Sequence, residues 1–354
     1  MGTFDGRSSP RVRVRRIRGH AVPCRIDPAG IAGPTRGEAY GPGWRRTSRG
    51  LYVPAATAAP DAEQRIVEAS AVLPWYGGVT GWAALRWLGA LWFSGEAADG
   101  SSLPVDLATM GCDIRPQEGI RISEERLDPT ELVHVDDVSL TTPLRSATFA
   151  MRHASGVRAA VVVADMSMYA DLFTSEELER HYWVHRSYTG NPQMLEAAGL
   201  AVENSWSPME TLALRLPWVL DAELPRPLCN RPVFDLEGRH VGTPDLLDEE
   251  AGVVGEYDGP VHLAGHRRGA DVRREAAFRR LGLETFVVTA ADTGRRDDVV
   301  RRMVEARSRA RFAAPSTRAW TIEPPPWWTL TDTVAARRAL DDDQRSRFLA
   351  YRIS

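Results

Sequence analysis

The stretch from Ser207 to Phe312 constrains the fold more than any other part of the chain. Its apolar periodicity changes in a definite order. Ser207-Pro208-Met209-Glu210 opens a helix: serine suits the N-cap, proline the first helical position, and glutamate closes a capping box. That helix runs to about Asp221, with a kink expected at Pro217 because proline lacks an N–H and crowds the preceding turn. Val233–Glu237, a turn at Gly238 and Val241–Leu247 carry a hairpin signature. Ala251–Asp258 reads as a third strand, 268–282 as a helix, Glu284–Thr289 as a fourth strand and 295–312 as a last helix. The order is αβββαβα, which predicts an α/β fold with a mixed sheet.

The chain has 354 residues, room for two or three domains. Residues 1–43 read as a basic, Gly/Pro-rich arm and 44–202 as an α/β module. Residues 203–312 form the αβββαβα domain and 313–354 a C-terminal strap, with a helix near 333–350. Within the module, Trp44–Pro54 is a basic turn entering a short strand. Helices are expected at 62–73 and 78–89, separated by Pro74 and Gly77-Gly78. The stretches 103–109, 119–123, 131–135 and 138–141 predict a small sheet, and 142–200 about four helices. Trp82, Trp87 and Trp92 suit a core better than a stacking platform for bases.

All 44 basic residues are arginine; the sequence contains no lysine. That excludes a Walker P-loop, a Schiff-base enzyme and a Ser-Lys hydrolase. No G-x-S-x-G elbow and no G-x-G-x-x-G loop occurs. Residues 1–60 hold 11 arginines against Asp5, Asp27 and Glu38, a net of +8, so the remainder of this −3 chain sums to −11. A basic segment on an acidic protein suits contact with a polyanion, or equally a solvated arm. Cys24, Cys112 and Cys229 are too few and too widely spaced for a disulfide framework or a Cys-x-x-Cys site, and fit a reducing cytoplasm. No apolar run reaches the ~18 residues of a membrane span.

The chemistry points to carboxylates. Glu256 and Asp258, two apart on a strand, share a face. Asp245 ends the preceding strand beside them, and Glu210 comes from the first helix. Converging, these acids make a hard oxygen site suited to Mg²⁺ or Mn²⁺. Each has a plainer alternative. Glu210 also closes the capping box, Asp245 also suits a strand-end turn, and His262 also suits a loop after Gly-Pro. Arg267, Arg268, Arg273, Arg274, Arg279 and Arg280 could follow phosphates, or form an exposed helix face paired with Asp271 and Glu275. His181 and His185, at i and i+4, lack a clear third zinc ligand.

The order of elements, with Glu210, Pro244-Asp245, Glu256-Tyr257-Asp258-Gly259 and His262, resembles the PD-(D/E)XK nuclease superfamily. Within it, the resemblance is to a domain group related to very-short-patch repair endonucleases. It covers 203–312 and implies a restriction-endonuclease-like fold. It further implies a metal-dependent DNA endonuclease. By that resemblance Asp245, Glu256 and Asp258 hold the metal, and His262 orients water or acts as general acid. The sequence departs at the superfamily lysine, whose position Asp258 takes, as in the resembling group. Residues 44–54, with Leu140–Asp171, resemble AbiEi-type antitoxins of winged-helix ancestry, as found joined to such nuclease-like domains in actinobacterial proteins. That resemblance implies DNA contact by Arg45, Arg46 and Arg49 and a possible cognate toxin or other protein partner. The alternative function is a non-catalytic DNA-binding regulator or antitoxin-like repressor that keeps the nuclease fold as a scaffold.

Overall fold

The computed structural model describes residues 12, 14–57, 61–97, 99–111, 114–115, 117–184, 187–259, 265–292, 294–350 and 352; at 184 and 265–272 it describes the backbone alone. The fold is α/β with mixed sheets. The chain divides into two compact units, 1–150 and 151–354. The segment read as one module at 44–202 is therefore spread over both. No described helix is long and apolar enough to cross a membrane.

Unit one begins with the two-residue strands β1 (Arg16–Ile17) and β2 (His20–Ala21) and the short helix α1 (Arg36–Ala39). A hairpin follows, β3 (Trp44–Ser48) and β4 (Leu51–Pro54), with a register shift between Arg46 and Ser48. Helix α2 (Ala62–Ser70) starts at Asp61, whose side chain accepts from the Gln64 N–H. The sheet is five-stranded, in the order β7-β6-β5-β9-β8. Its strands are β5 (Gly78–Thr80), β6 (Val105–Ala108), β7 (Ile120–Ser123), β8 (Leu132–Val135) and β9 (Val138–Thr141).

The expected helix at 78–89 is thus half right. Its first three residues form the central strand, and only Gly81–Trp87 is helical (α3). A side chain at Gly78 would stand 2.8 Å from Leu132 Cδ2, so the middle of the sheet closes only around glycine. Gly81, at φ +61°, then turns strand into helix. Trp82 and Trp87 are buried against Ile66, Val79, Leu107 and Leu140, as core, while Trp92 is exposed. Helix α4 (Pro143–Arg152) carries the chain into unit two.

Unit two opens with α5 (Val157–Tyr169), α6 (Ser175–Val184) and α7 (Asn191–Leu200), which with α4 make the four expected helices. The helix expected from Ser207 to Asp221 is present but wound as a π-helix, over Glu210–Arg215 and Pro217–Asp221. Pro217 opens the second stretch, where the wider turns bond each carbonyl one residue further along, as from the Ala222 N–H to Pro217 O (2.9 Å). Asp165 on α5 is fully buried, and accepts from Thr211 Oγ1 (2.6 Å), the Val202 N–H (2.8 Å) and the Arg215 guanidinium.

The main sheet runs β10-β13-β14-β15. Its strands are β10 (Leu228–Cys229), β13 (Leu246–Asp248), β14 (Val253–Asp258) and β15 (Glu284–Thr289). β13 pairs antiparallel with β14, and β14 parallel with β15 through the crossover helix α8 (Gly265–Arg280). One face packs Leu246, Val253, Phe286 and Val288 on the π-helix residues Leu214 and Trp218 and on α9 (Arg296–Arg309). The other packs Leu247 and Val254 on Phe278 of α8.

The strand expected at Val241–Leu247 splits in two. Its first part, β12 (His240–Gly242), joins β11 (Val233–Asp235) and β16 (Trp320–Thr321) in a separate three-stranded sheet. Pro244, which cannot donate to a ladder, lies between the two parts. The C-terminal segment adds a strand, β16, to the expected strap, and the helix expected near 333–350 is present as two, α10 (Val334–Arg338) and α11 (Asp342–Phe348).

Candidate functional site

The site expected from sequence lies in unit two, where β13, β14 and the start of the π-helix meet. Leu246 stands opposite Gly255 and Leu247 opposite Val254. Continuing that register puts Asp245 opposite Glu256 on the face covered by α8, and alternation puts Asp258 there too. The two acids are therefore on one side of the sheet. The Tyr257 N–H donates to Asp245 Oδ2 at 2.7 Å, holding the aspartate against β14.

Asp245 is the most perturbed acid of the group. Burial pushes its carboxyl well above the usual range, and the charges of Glu210 and Glu256 push it further. The Tyr257 N–H and Arg274 oppose this without cancelling it. Glu210 is also shifted upward, chiefly by burial. It closes the helix start as its spacing predicts, with a one-residue offset. The Ser207 hydroxyl accepts from the Glu210 N–H (3.2 Å), while Glu210 Oε2 accepts from the Trp206 N–H (2.8 Å) and from Asn230 Nδ2 (2.7 Å). The capping role and electrostatic coupling to Asp245 coexist in this one side chain.

Glu256 is held by Arg274 of α8, through Nε to Oε1 (3.1 Å) and Nη2 to Oε2. Asp258, at the end of β14, is exposed. Among the described residues no three His, Cys, Asp or Glu side chains cluster closely enough to hold a metal. Asp245 and Glu256 still offer a donor set that fits Mg²⁺ or Mn²⁺. Magnesium is commonly held by one or two carboxylates, with water and substrate phosphate completing its shell. His262 lies outside the described residues, as do the side chains of Arg267, Arg268 and Asp271. His185 does as well, so the His181/His185 pair has no described geometry.

Other residues of this region carry weaker sequence signals. Asn204 and Asn230 bond each other's backbone carbonyls: Asn204 Nδ2 donates to Asn230 O (3.1 Å) and Asn230 Nδ2 to Asn204 O (2.8 Å). This tie joins the helix start to the strand bearing Cys229, and Asn230 sits at φ +47°, which asparagine tolerates. A lone Asn in a Pro-rich loop carries no periodic signal. Cys229 is a free thiol pushed up to about 12, mainly by burial, so it is protonated and inert.

The arginines expected to contact DNA differ among themselves. In unit one, Arg45 is tied to Glu68 of α2 by two bonds of 3.1 and 2.5 Å, and serves the hairpin's packing. Arg46 and Arg49 are exposed and meet no carboxylate among the described residues. Between residue 14 and β3 the only described helix is the four-residue α1, so these residues hold no helix-turn-helix. In unit two, Arg273 is exposed and Arg274 is committed to Glu256. Comparison with known proteins finds no matching family model, and searches of curated proteins and of solved structures return no match either.

Proposed function

We propose that this chain is a metal-dependent DNA endonuclease whose site is built on Asp245 and Glu256, acting in the cytoplasm. The observation that carries the reading is Asp245. It continues β13 opposite Glu256 and is raised first by burial and then by the charges of Glu210 and Glu256, an excess of negative charge that a divalent cation would relieve. Mg²⁺ or Mn²⁺, when bound, supplies Lewis-acid stabilisation of a phosphodiester. The chain's own residues do the rest. Asp245 and Glu256 would hold the ion, the Tyr257 N–H fixes the orientation of Asp245, and Arg274 holds Glu256 until it is needed. With no lysine in the chain, orienting the water falls to His262 or an arginine. Arg46 and Arg49 on the first unit, and Arg267, Arg268 and Arg273 on the second, would follow phosphates.

The test is cleavage of single-stranded, duplex, mismatched and branched DNA with Mn²⁺, Mg²⁺ or EDTA. Metal-dependent cutting should fall to background in Glu256→Gln and in Asp245→Asn. Absence of cutting by the unaltered protein on every substrate would refute the reading. One observation favours the second reading, a DNA-binding regulator that no longer cuts: both Glu256 oxygens are engaged by Arg274. That reading expects salt-sensitive DNA binding, weakened in Arg46→Ala/Arg49→Ala and unaffected in Glu256→Gln. A toxin or other protein partner belongs to this second reading alone.

A further inference from the structure

Unit two contains a cavity of about 760 Å³ beside the candidate site, whose aromatic lining none of the preceding roles uses. Its lining includes five aromatic rings, those of Trp206, His240, Trp327, Trp328 and Phe348. Its cations are Arg273, Arg274 and Arg347, and among the described residues no carboxylate lines it. Arg274 is the arginine that grips Glu256, so cavity and acids share a residue.

The aromatic lining is built rather than incidental. Trp328 lies 4.6 Å from the His240 ring at 32°, and is braced edge-on by Phe234 (5.3 Å) and Phe348 (6.2 Å). Phe234 is fully buried beneath them. Burial lowers the His240 pKa, and its Nε2 bonds Thr243 Oγ1 at 3.0 Å, so at neutral pH the ring is an uncharged stacking surface. Trp327 leaves half its surface exposed. Arg273 and Arg347 are exposed and pair with no carboxylate among the described residues. Arg347 instead lies over Phe348, 5.0 Å from its ring centre. Thr243, Thr329, Thr331 and Asn230 supply short polar groups.

A ligand suited to this cavity has a flat aromatic body, hydrogen-bonding edges and negative charge beside it. We propose that the cavity binds a nucleotide, an unstacked base seated against Trp328 and Trp327 with its phosphate at Arg273 and Arg347. Pockets of this size bury most of a ligand of nucleotide dimensions. Base stacking on aromatic side chains, with arginine on the phosphate, is the general chemistry of single-strand binding. The inference rests on the nucleic-acid reading above only in taking a DNA strand as one source of the nucleotide; a free nucleotide is the other.

The test is binding in EDTA, where metal-dependent cutting cannot occur. A fluorescein-labelled single-stranded oligodeoxynucleotide of about eight residues is titrated by anisotropy, with an abasic strand of equal phosphate number beside it. The abasic strand should bind at least about tenfold more weakly, and Trp328→Ala should lose about tenfold on the normal strand only. Trp328→Phe should retain most of the binding. Should Trp328→Ala fail to fold, Arg273→Glu and Arg347→Glu, both on exposed residues, should each weaken binding and lower the salt slope by about one. Competition by a free deoxynucleoside monophosphate would identify the free nucleotide as sufficient, and strand binding without competition would make it a residue of a strand. Equal binding of the abasic strand, or unchanged binding in both arginine variants, would overturn the inference. Binding without cutting under Mn²⁺ would remove the catalytic reading and leave this one, whereas cutting with indifference to the missing base would do the reverse.

Discussion

At the scale of the residue, the candidate site costs stability. Asp245 has a folded-state pKa above its unfolded value, so the native state holds its proton more tightly. The contribution is fully present below the unfolded pKa and is lost as pH rises through the raised folded value. Asp245→Asn keeps an oxygen for the Tyr257 N–H and removes the charge. In EDTA, the variant should match or exceed the unaltered protein in denaturant midpoint, with an advantage that grows between about pH 5 and about pH 8. A midpoint falling equally at both pH values would show the carboxylate to be structural. Asp292 has the opposite sign. Hydrogen bonds from Arg302 hold its pKa down to about 2, below its ordinary 3.8. Its stabilisation is present above the unfolded pKa and lost as pH falls toward about 2. Asp292→Asn should lower stability at neutral pH and flatten the acid limb of an unfolding curve below about pH 4. An acid limb identical in the two proteins would contradict this. Glu256 and Asp258 were legible because strand alternation gives them one face, and Asp245 as the end of the preceding strand; setting Asp245 opposite Glu256 needed the pairing register of β13 and β14. The grip of Arg274 on Glu256 was not legible, since the sequence offers Arg274 only as one phosphate-following arginine among the many of α8.

Among the elements, β14 is the one on which both the core and the site depend. Gly255 stands opposite Phe286 on β15, whose ring covers it and stacks on Trp218 at 5.7 Å and 9°. A methyl group at Gly255 would collide with that ring. Gly255→Ala should therefore cost about 1–3 kcal/mol, as overpacked cores do, measured by chemical denaturation. A neutral result would mean that Phe286 can move without loss, and that the stack is dispensable. Gly242 makes a related approach, for a Cβ there would lie 2.8 Å from Phe278 Cζ and 3.0 Å from Arg274 Cδ. Most of these elements could be read from periodicity, including all four strands of αβββαβα order in approximate position. The failures have local causes. Pro244 cut one expected strand into pieces that joined different sheets. Gly78–Thr80 is too short to show alternation, and its apolar content is equally that of a helix. No residue pattern announces the π winding of 210–221.

For the whole molecule, a chain without lysine has built its second unit around buried guanidinium groups. Arg337 is the clearest. It is fully buried and donates to the carbonyls of Met168 (2.8 Å), Glu203 (3.0 Å) and Thr331 (2.9 Å) and to Asp171 Oδ1 (2.6 Å). Arg337→Met should destabilise the protein by about 3 kcal/mol or more, since it strands buried acceptors. The neighbouring Arg338, 40% exposed, should cost under about 1 kcal/mol when replaced in the same way. Equal losses in thermal unfolding would contradict this role for Arg337. Such a clamp ties residues near 170, 203 and 331 to one side chain, and no linear pattern could have shown it.

The same clamp has a consequence for synthesis. A polypeptide leaves the ribosome in order, and three of the four acceptors are made long before the arginine that satisfies them. While residues 320–337 are still inside the exit tunnel, β11 has one bare edge and Met168 and Glu203 lack their donor. The second unit therefore completes its fold after translation has passed residue 337. A message cut short before residue 320 would release a chain with that edge open, a substrate for chaperones and proteases in place of a smaller working protein.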